Sequence, residues 1–428
     1  MSLPASVPDS SQRSDSPKRR RTDDDIDGIQ PEQSASQLGS EATLNLNRTN
    51  TFSPATSRVS SGPKRSSSPT RESSRVLRSA WPPVLTESLN GLEEAPPQHV
   101  NRLGDWLVEG INSSFIPQGL QHVIKEDTQV GTQTIKPGDF DRSDMRSAGD
   151  MSALWVKVKQ IFLNARDCKD GGRDENAWCD DVARPLVHLA IDLYGGDRWW
   201  FQNVHVNLYQ IFETLLIDHV FSQSQSINPL YLSTISAPTL TDVTRRKPID
   251  RKIDYVFSYS HRHSAISALY KTLDASNWDI GHTLDAFTKR TALFSGIEVK
   301  SASGSHTEAE LQLSVWMSAS LRKKEELIQA AQIPIDLTTI VEPALTIVGH
   351  DHSVYYAYPR EALVSGRKGV HILGPDLDRF ERLSTDSIRG IFRLIRLYGN
   401  LLKYGMDEGE DGYWGRFFRP ILNKLAGV

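Results

Sequence analysis

Hydrophobic positions are unevenly spread along this 428-residue chain. Up to about residue 80 they follow no period; from Trp81 onward they recur at helical or strand spacing. Leu103, Trp106, Leu107 and Ile111 share one helical face. Residues 151–166 and 175–194 predict two further helices, and Pro185 inside the second predicts a kink or break because it lacks an amide donor. A helix is also expected at 206–221. Residues 253–260 (IDYVFSYS) alternate as a half-buried strand does, and 293–300 (LFSGIEVK) read as a second strand. Residues 262–288 read as helix and loop. The pattern at 307–331 predicts a long helix, with Thr307 and Glu310 paired in a capping box. Strands follow at 338–348, interrupted at Pro343, and at 353–358. A basic amphipathic helix at 384–404 and a short helix from about Trp414 close the chain. The strands are few, central and flanked by helices, which predicts an α/β body with a small mixed sheet.

Composition separates a tail from that body. Residues 1–80 hold one aromatic, Phe52, and are rich in Ser, Pro, Arg and Asp. Such a segment buries too little apolar surface to offset the entropy of ordering. We therefore expect a disordered tail over 1–84 and one folded domain over 85–428. The tail carries 12 Lys/Arg against 9 Asp/Glu in residues 1–80, so of the net −4 the remainder holds −7. Lys18, Arg19, Arg20 and Arg21 form a compact basic tetrad that reads as a nuclear import signal, implying an import receptor as partner and the nucleus as location. Solvated charge is the bland alternative. Ser16-Pro17, Ser53-Pro54 and Ser68-Pro69 are candidate proline-directed phosphorylation sites. Two cysteines exclude a disulfide-stapled fold. No 18-residue apolar run and no apolar leader core are present, so an intracellular protein without a membrane span is expected.

Three charged residues occupy strand positions where apolar or neutral ones belong. Asp254 lies in the first central strand; Glu298 and Lys300 end the second, with Val299 between them. Residues two apart on a strand project to the same face, so Glu298 and Lys300 point together. If the two strands pair, Asp254 joins them. Two carboxylates can hold a hard cation such as Mg²⁺ or Mn²⁺, and a lysine can serve an attacking water or stabilise developing charge. The Val299 carbonyl is a candidate additional ligand.

Asp254 followed by Glu298-Val299-Lys300 resembles the signature of the PD-(D/E)XK nuclease superfamily, and within it the fungal nuclease-like domain proteins. Glu175-Asn176-Ala177-Trp178 resembles that family's first motif, which makes Glu175 a candidate metal contact. Residues 309–316 (AELQLSVW) resemble its helix after the lysine strand, with Gln312 a candidate substrate contact. Gly349-His350-Asp351 also looks like that family. Ile253 stands where the signature has proline, and Trp316 where one branch has tyrosine. The resemblance covers about residues 155–405. It implies a restriction-endonuclease-like αβββαβ core with a metal at the strand ends, and Mg²⁺-dependent hydrolysis of nucleic-acid phosphodiesters, DNA foremost. The alternative is the same fold without turnover, acting as a nucleic-acid-binding or protein-interaction module.

Other chemistry is weaker. Arg245, Arg246 and Lys247, with Arg251 and Lys252, precede the Asp254 strand and could grip a phosphate backbone. Arg322-Lys323-Lys324 and the set Arg389, Arg393, Arg396 and Lys403 read either as similar patches or as solvated faces. Cys168 and Cys179 lack zinc spacing and read as idle thiols. His350-Asp351-His352 reads as a strand-end turn rather than a metal site, and His261 and His263 as loop residues. Trp199-Trp200-Phe201 reads as core rather than a base-stacking platform. No phosphate-binding glycine loop or nucleophile elbow is present.

Overall fold

The computed structural model describes residues 75–90, 92, 95–131, 134–144, 146–204, 226–236, 246–249, 251–362 and 367–428. The tail tetrad Lys18–Arg21, Arg245 and the helix expected at 206–221 lie outside the described residues.

A mixed eight-stranded sheet organises the chain. Its strands are β1 (Val84–Glu87), β2 (Trp199–Asn203), β3 (Tyr255–Tyr259), β4 (Leu293–Lys300), β5 (Glu342–Val348), β6 (Asp351–Ala362), β7 (Arg367–Leu373) and β8 (Leu383–Ser384). They lie in the order β1-β7-β6-β5-β4-β3-β2, with β8 added to β6. β2, β3 and β4 run antiparallel in turn, and β5 runs parallel to β4. A parallel pair needs a crossover, supplied by the helix His306–Ala331. With the helix that begins at Glu175, these elements give the expected αβββαβ order. The sheet is wider than expected, because the hairpin β6–β7 and β1 extend it beyond β5.

Six helices matter for the site: α1 (Gln98–Val108), α2 (Ala148–Asp170), α3 (residues 175–195), α4 (Ser264–Ala275), α5 (His306–Ala331) and α6 (Ile388–Met406). α4 fills the long insertion between β3 and β4. Each of the long helices α2, α5 and α6 starts at a serine whose hydroxyl accepts an amide three residues on: Ser147 from Asp150, Ser305 from Glu308 and Ser387 from Gly390. For α5 the cap thus lies two residues before the expected Thr307.

Pro185 does not break α3. The helix loosens into a π turn over Trp178–Ala183 and resumes at Arg184–Ala190. Asp181, which would have received the missing Pro185 amide, has its carbonyl taken by Asn164 Nδ2 of α2 at 2.9 Å.

The aromatic triplet at 199–201 is strand β2, with Trp199 and Phe201 buried and Phe201 stacked on Tyr255 at 4.6 Å. All eight residues of β4 are buried, so both sheet faces are covered. Ser295 takes a left-handed φ of 57° inside β4, and the β3–β4 register shifts there by one residue. This is a bulge, and it sets which residues of β4 face the site. No described helix is long and apolar enough to cross a membrane.

Candidate metal centre

β3 and β4 pair with Tyr255 opposite Ile297. The next step outward sets Asp254 across from Glu298, just beyond the end of β3. Asp254 thus occupies the bend before the strand rather than the strand itself. Its backbone carbonyl accepts the Val204 amide at 2.8 Å, and its Oδ2 accepts the Val299 amide at 2.7 Å. The residue is therefore tied on both sides, its backbone to the end of β2 and its carboxylate to β4.

Glu175 arrives from a separate direction, in the first turn of α3. Asp174 caps that turn, its Oδ1 accepting the Ala177 amide at 3.0 Å. One ligand oxygen from each of Glu175, Asp254 and Glu298 lies within 4.8 Å of the others. Lys300 Nζ sits 2.6 Å from Glu298 Oε1 and 3.0 Å from Glu175 Oε2. The same-face projection of Glu298 and Lys300 follows from the strand period, as expected. Asp254 and Glu298 are 1% exposed and the Glu175 side chain 33%, so the cluster opens to solvent on the α3 side.

The electrostatics are those of an anion-rich pocket. Burial, then the Asp254 charge, pushes the Glu298 carboxyl well above its usual range, against the pull of Lys300. Burial alone would lower the Lys300 ammonium, but Glu298 and Glu175 outweigh it and the net shift is upward. Neither oxygen of Glu298 has a well-directed hydrogen bond among the described residues. A buried carboxylate left short of donors is costly, and a hard divalent cation is the ligand that three converging carboxylate oxygens suit.

Two residues given no place at the centre from sequence, the motif's Trp178 and the idle thiol Cys179, lie beside it. Cys179, one helical turn after Glu175, is buried beside the cluster; burial and then the charges of Asp254, Glu175 and Glu298 push its thiol up. Its spacing from Glu175 was the available signal. Trp178, fully buried, packs edge-on against His350 at 5.2 Å.

Gln312 lies on α5, where Nε2 donates to the Lys252 carbonyl at 3.2 Å and Oε1 is buried without a partner among the described residues. It therefore touches the backbone leading into Asp254. Arg246 and Lys247 are described as backbone, in the strand Arg246–Pro248 paired with Thr234–Ser236. In His350-Asp351-His352 the side chains diverge: His350 bonds Thr385, Asp351 faces Arg382, and His352 is buried against Tyr398.

Two basic clusters turn largely inward, with Lys403 left exposed. Lys323 and Lys324 are 3% exposed, paired with Glu326 and Glu342, and Arg322 donates to the carbonyls of Tyr231 and Pro82. Arg389 forms a two-pronged pair with Asp139, and Arg393 binds the Ile111 and Arg382 carbonyls. Their charge serves internal packing.

A mixed sheet carrying strand-end carboxylates, an adjoining lysine and a helix-borne glutamate defines a nuclease-like α/β protein. The chain belongs to the PD-(D/E)XK nuclease superfamily, whose family model matches residues 123–414. No curated protein and no solved structure matches it.

Proposed function

We propose that this protein is a divalent-metal-dependent nuclease that hydrolyses phosphodiester bonds in nucleic acid, DNA foremost, with Mg²⁺ as its working ion and Mn²⁺ as a substitute. The convergence of Glu175, Asp254 and Glu298 with Lys300, from one helix, one bend and one strand, is the observation that carries this reading. The three carboxylates would hold the ion. The Val299 carbonyl is a further donor: an amide and carbonyl of one strand residue point to the same edge, and the Val299 amide already points at Asp254. The ion, when bound, supplies Lewis-acid activation of water and neutralisation of charge on the phosphate.

Lys300 has the protein's part in the chemistry. Its ammonium, held between Glu298 and Glu175, orients the attacking water and stabilises the charge that gathers on the phosphate oxygens. Glu175, on the open side, steers the water shell. Gln312 and the Arg245-Arg246-Lys247 segment contact the substrate strand. The tail tetrad Lys18–Arg21 engages an import receptor and takes the protein to the nucleus. The N-terminal segment acts as that address tail, and the body that follows, to which Leu77 and Val84 already belong, as the nuclease domain.

Cleavage of plasmid and of single-stranded oligonucleotide, with Mg²⁺ or Mn²⁺, tests the proposal. Wild type should cut and Lys300→Ala should not, while both bind Mn²⁺. A folded wild type that binds Mn²⁺ through Asp254 yet cuts nothing overturns catalysis and favours a binding module of the same fold.

A further inference from the structure

The hairpin turn between β5 and β6 presents one histidine beside the metal centre that the reaction described above does not use. Gly349 has φ +57°, and its amide donates to the Lys300 carbonyl at 2.9 Å. A Cβ added there would lie 2.8 Å from the Ala302 Cα, so the turn presses directly onto the segment leaving β4. His350 therefore follows a backbone fixed to the catalytic strand.

Its ring is fixed as well. Nδ1 lies 3.0 Å from Thr385 Oγ1, and the His350 carbonyl accepts the Thr385 amide at 3.1 Å. Trp178 meets the imidazole edge-on at 5.2 Å and 87°. Trp178 follows Glu175 by three residues on α3, so the two side chains are neighbours about 5–6 Å apart at Cβ. The Thr385 hydroxyl is fully buried, and Nδ1 is its partner among the described residues. A buried hydroxyl proton needs an acceptor. Nδ1 therefore accepts, and the ring proton sits on Nε2.

Nε2 has no hydrogen bond among the described residues and, unlike its counterpart in His352, is not fully enclosed. His350 is not one of the groups whose ligand atoms converge on the metal centre. The acidic neighbours Asp351 and Asp386 face Arg382, at 3.7 and 2.6 Å. The exposed Lys169, at the end of α2, also acts electrostatically on His350. Burial keeps the imidazole below its ordinary pKa, hence neutral at physiological pH.

We propose that His350 is a substrate-contact residue whose Nε2–H donates to a phosphate of the nucleic-acid strand flanking the scissile bond. This rests on the nuclease reading above.

The test uses the full-length protein. Affinity for a labelled DNA oligonucleotide is read by anisotropy with Ca²⁺ replacing Mg²⁺, alongside kcat and KM with Mg²⁺ and Mn²⁺ binding without DNA. His350→Ala should weaken oligonucleotide affinity and raise KM about 10-fold, with kcat within about twofold and Mn²⁺ affinity unchanged. His350→Gln keeps an N–H donor at similar reach and should recover most of the loss. Thr385→Val frees the ring while preserving buried shape and should fall between them. If wild type cleaves and His350→Ala matches it in affinity and KM, this assignment fails and the nuclease reading stands. If His350→Gln is as impaired as His350→Ala, or Mn²⁺ binding falls with either, the residue acts structurally and the assignment fails. A wild type that neither binds nor cleaves nucleic acid overturns both.

Discussion

Replacing Glu298 by glutamine should have opposite effects with and without a divalent ion. Glu298 shares a buried site with two carboxylates within 4.8 Å and with an ammonium at 2.6 Å. At an effective dielectric near 20, each carboxylate repels it by about 3.5 kcal/mol and Lys300 attracts it by about 6 kcal/mol. These contributions nearly cancel, leaving the desolvation of a buried charge uncompensated. Glutamine keeps the shape, loses the charge, and its amide can donate to Asp254 or Glu175. In EDTA, Glu298→Gln should therefore be more stable by about 1–3 kcal/mol. At roughly 2 cal/mol/K of unfolding entropy per residue, a body of this size gains about 1–2 °C in Tm per kcal/mol. Saturating Mn²⁺, at about 100 times Kd, should raise wild type by about 2.7 kcal/mol and the variant by far less, reversing their order. The pH dependence has a defined sign. The Glu298 carboxyl binds its proton more tightly folded than unfolded, because burial raises it first and Asp254 second. Metal-free wild type thus loses stability as pH rises from the ordinary carboxylate range toward that raised value, and the variant's advantage vanishes in acid. Thermal melts in EDTA and in Mn²⁺, at several pH values, measure all of this. A variant less stable than wild type in EDTA, or one with an undiminished Mn²⁺ shift, refutes the reasoning.

Three further outcomes are expected. Lys300→Ala should lower kcat by about 10²–10⁴ with oligonucleotide affinity largely kept, as read from single-turnover cleavage. Lys324 is buried in an ion pair with Glu342, whose carboxylate also takes the Tyr413 hydroxyl. Lys324→Met alone should cost about 3–5 kcal/mol in urea unfolding, and adding Glu342→Leu should restore much of it, since the single change strands a buried charge. Ser295→Gly relieves a left-handed φ of 57° in β4 and should be neutral or stabilising by up to about 1 kcal/mol in the same assay.

Much of the core was legible because period and chemistry agreed there. The strand at 293–300 announces itself by eight residues with a charged pair at the end, and Glu298 and Lys300 meet because a strand has a period of two. Glu175 could not be brought to Asp254 by period alone, since α3 reaches the sheet end by tertiary packing; the motif resemblance was what pointed to it. The wider sheet was missed for local reasons. β1 is four residues long beside Pro82-Pro83, and β7 begins Arg-Lys-Gly, so neither shows clean alternation. Pro185 was expected to kink or break the helix, whereas the helix continues through a π turn and Asn164 on a neighbouring helix takes the freed carbonyl. The basic runs misled for a physical reason: a lysine run on a helix looks the same whether solvent or a buried glutamate faces it.

That last point bears on how substrate is held. Arg322, Lys323, Lys324, Arg389 and Arg393 are engaged within the body, and the centre itself carries three carboxylates against one ammonium, a formal −2. A phosphate approaching that centre without a cation is repelled, by about 6–7 kcal/mol with every group ionised (two charges at about 5 Å, dielectric near 20) and by less where Glu298 keeps its proton. A divalent ion cancels the −2. Nucleic-acid affinity should therefore depend on the divalent ion far more than general screening allows. At fixed ionic strength, replacing Ca²⁺ by EDTA plus compensating KCl should weaken oligonucleotide binding by at least 10-fold in wild type. Asp254→Asn, which loses one carboxylate of the centre, should show a smaller dependence. Equal affinity in Ca²⁺ and EDTA would mean that the strand is held elsewhere, by the tail or by residues 245–252, and that the carboxylate centre takes no part in holding it.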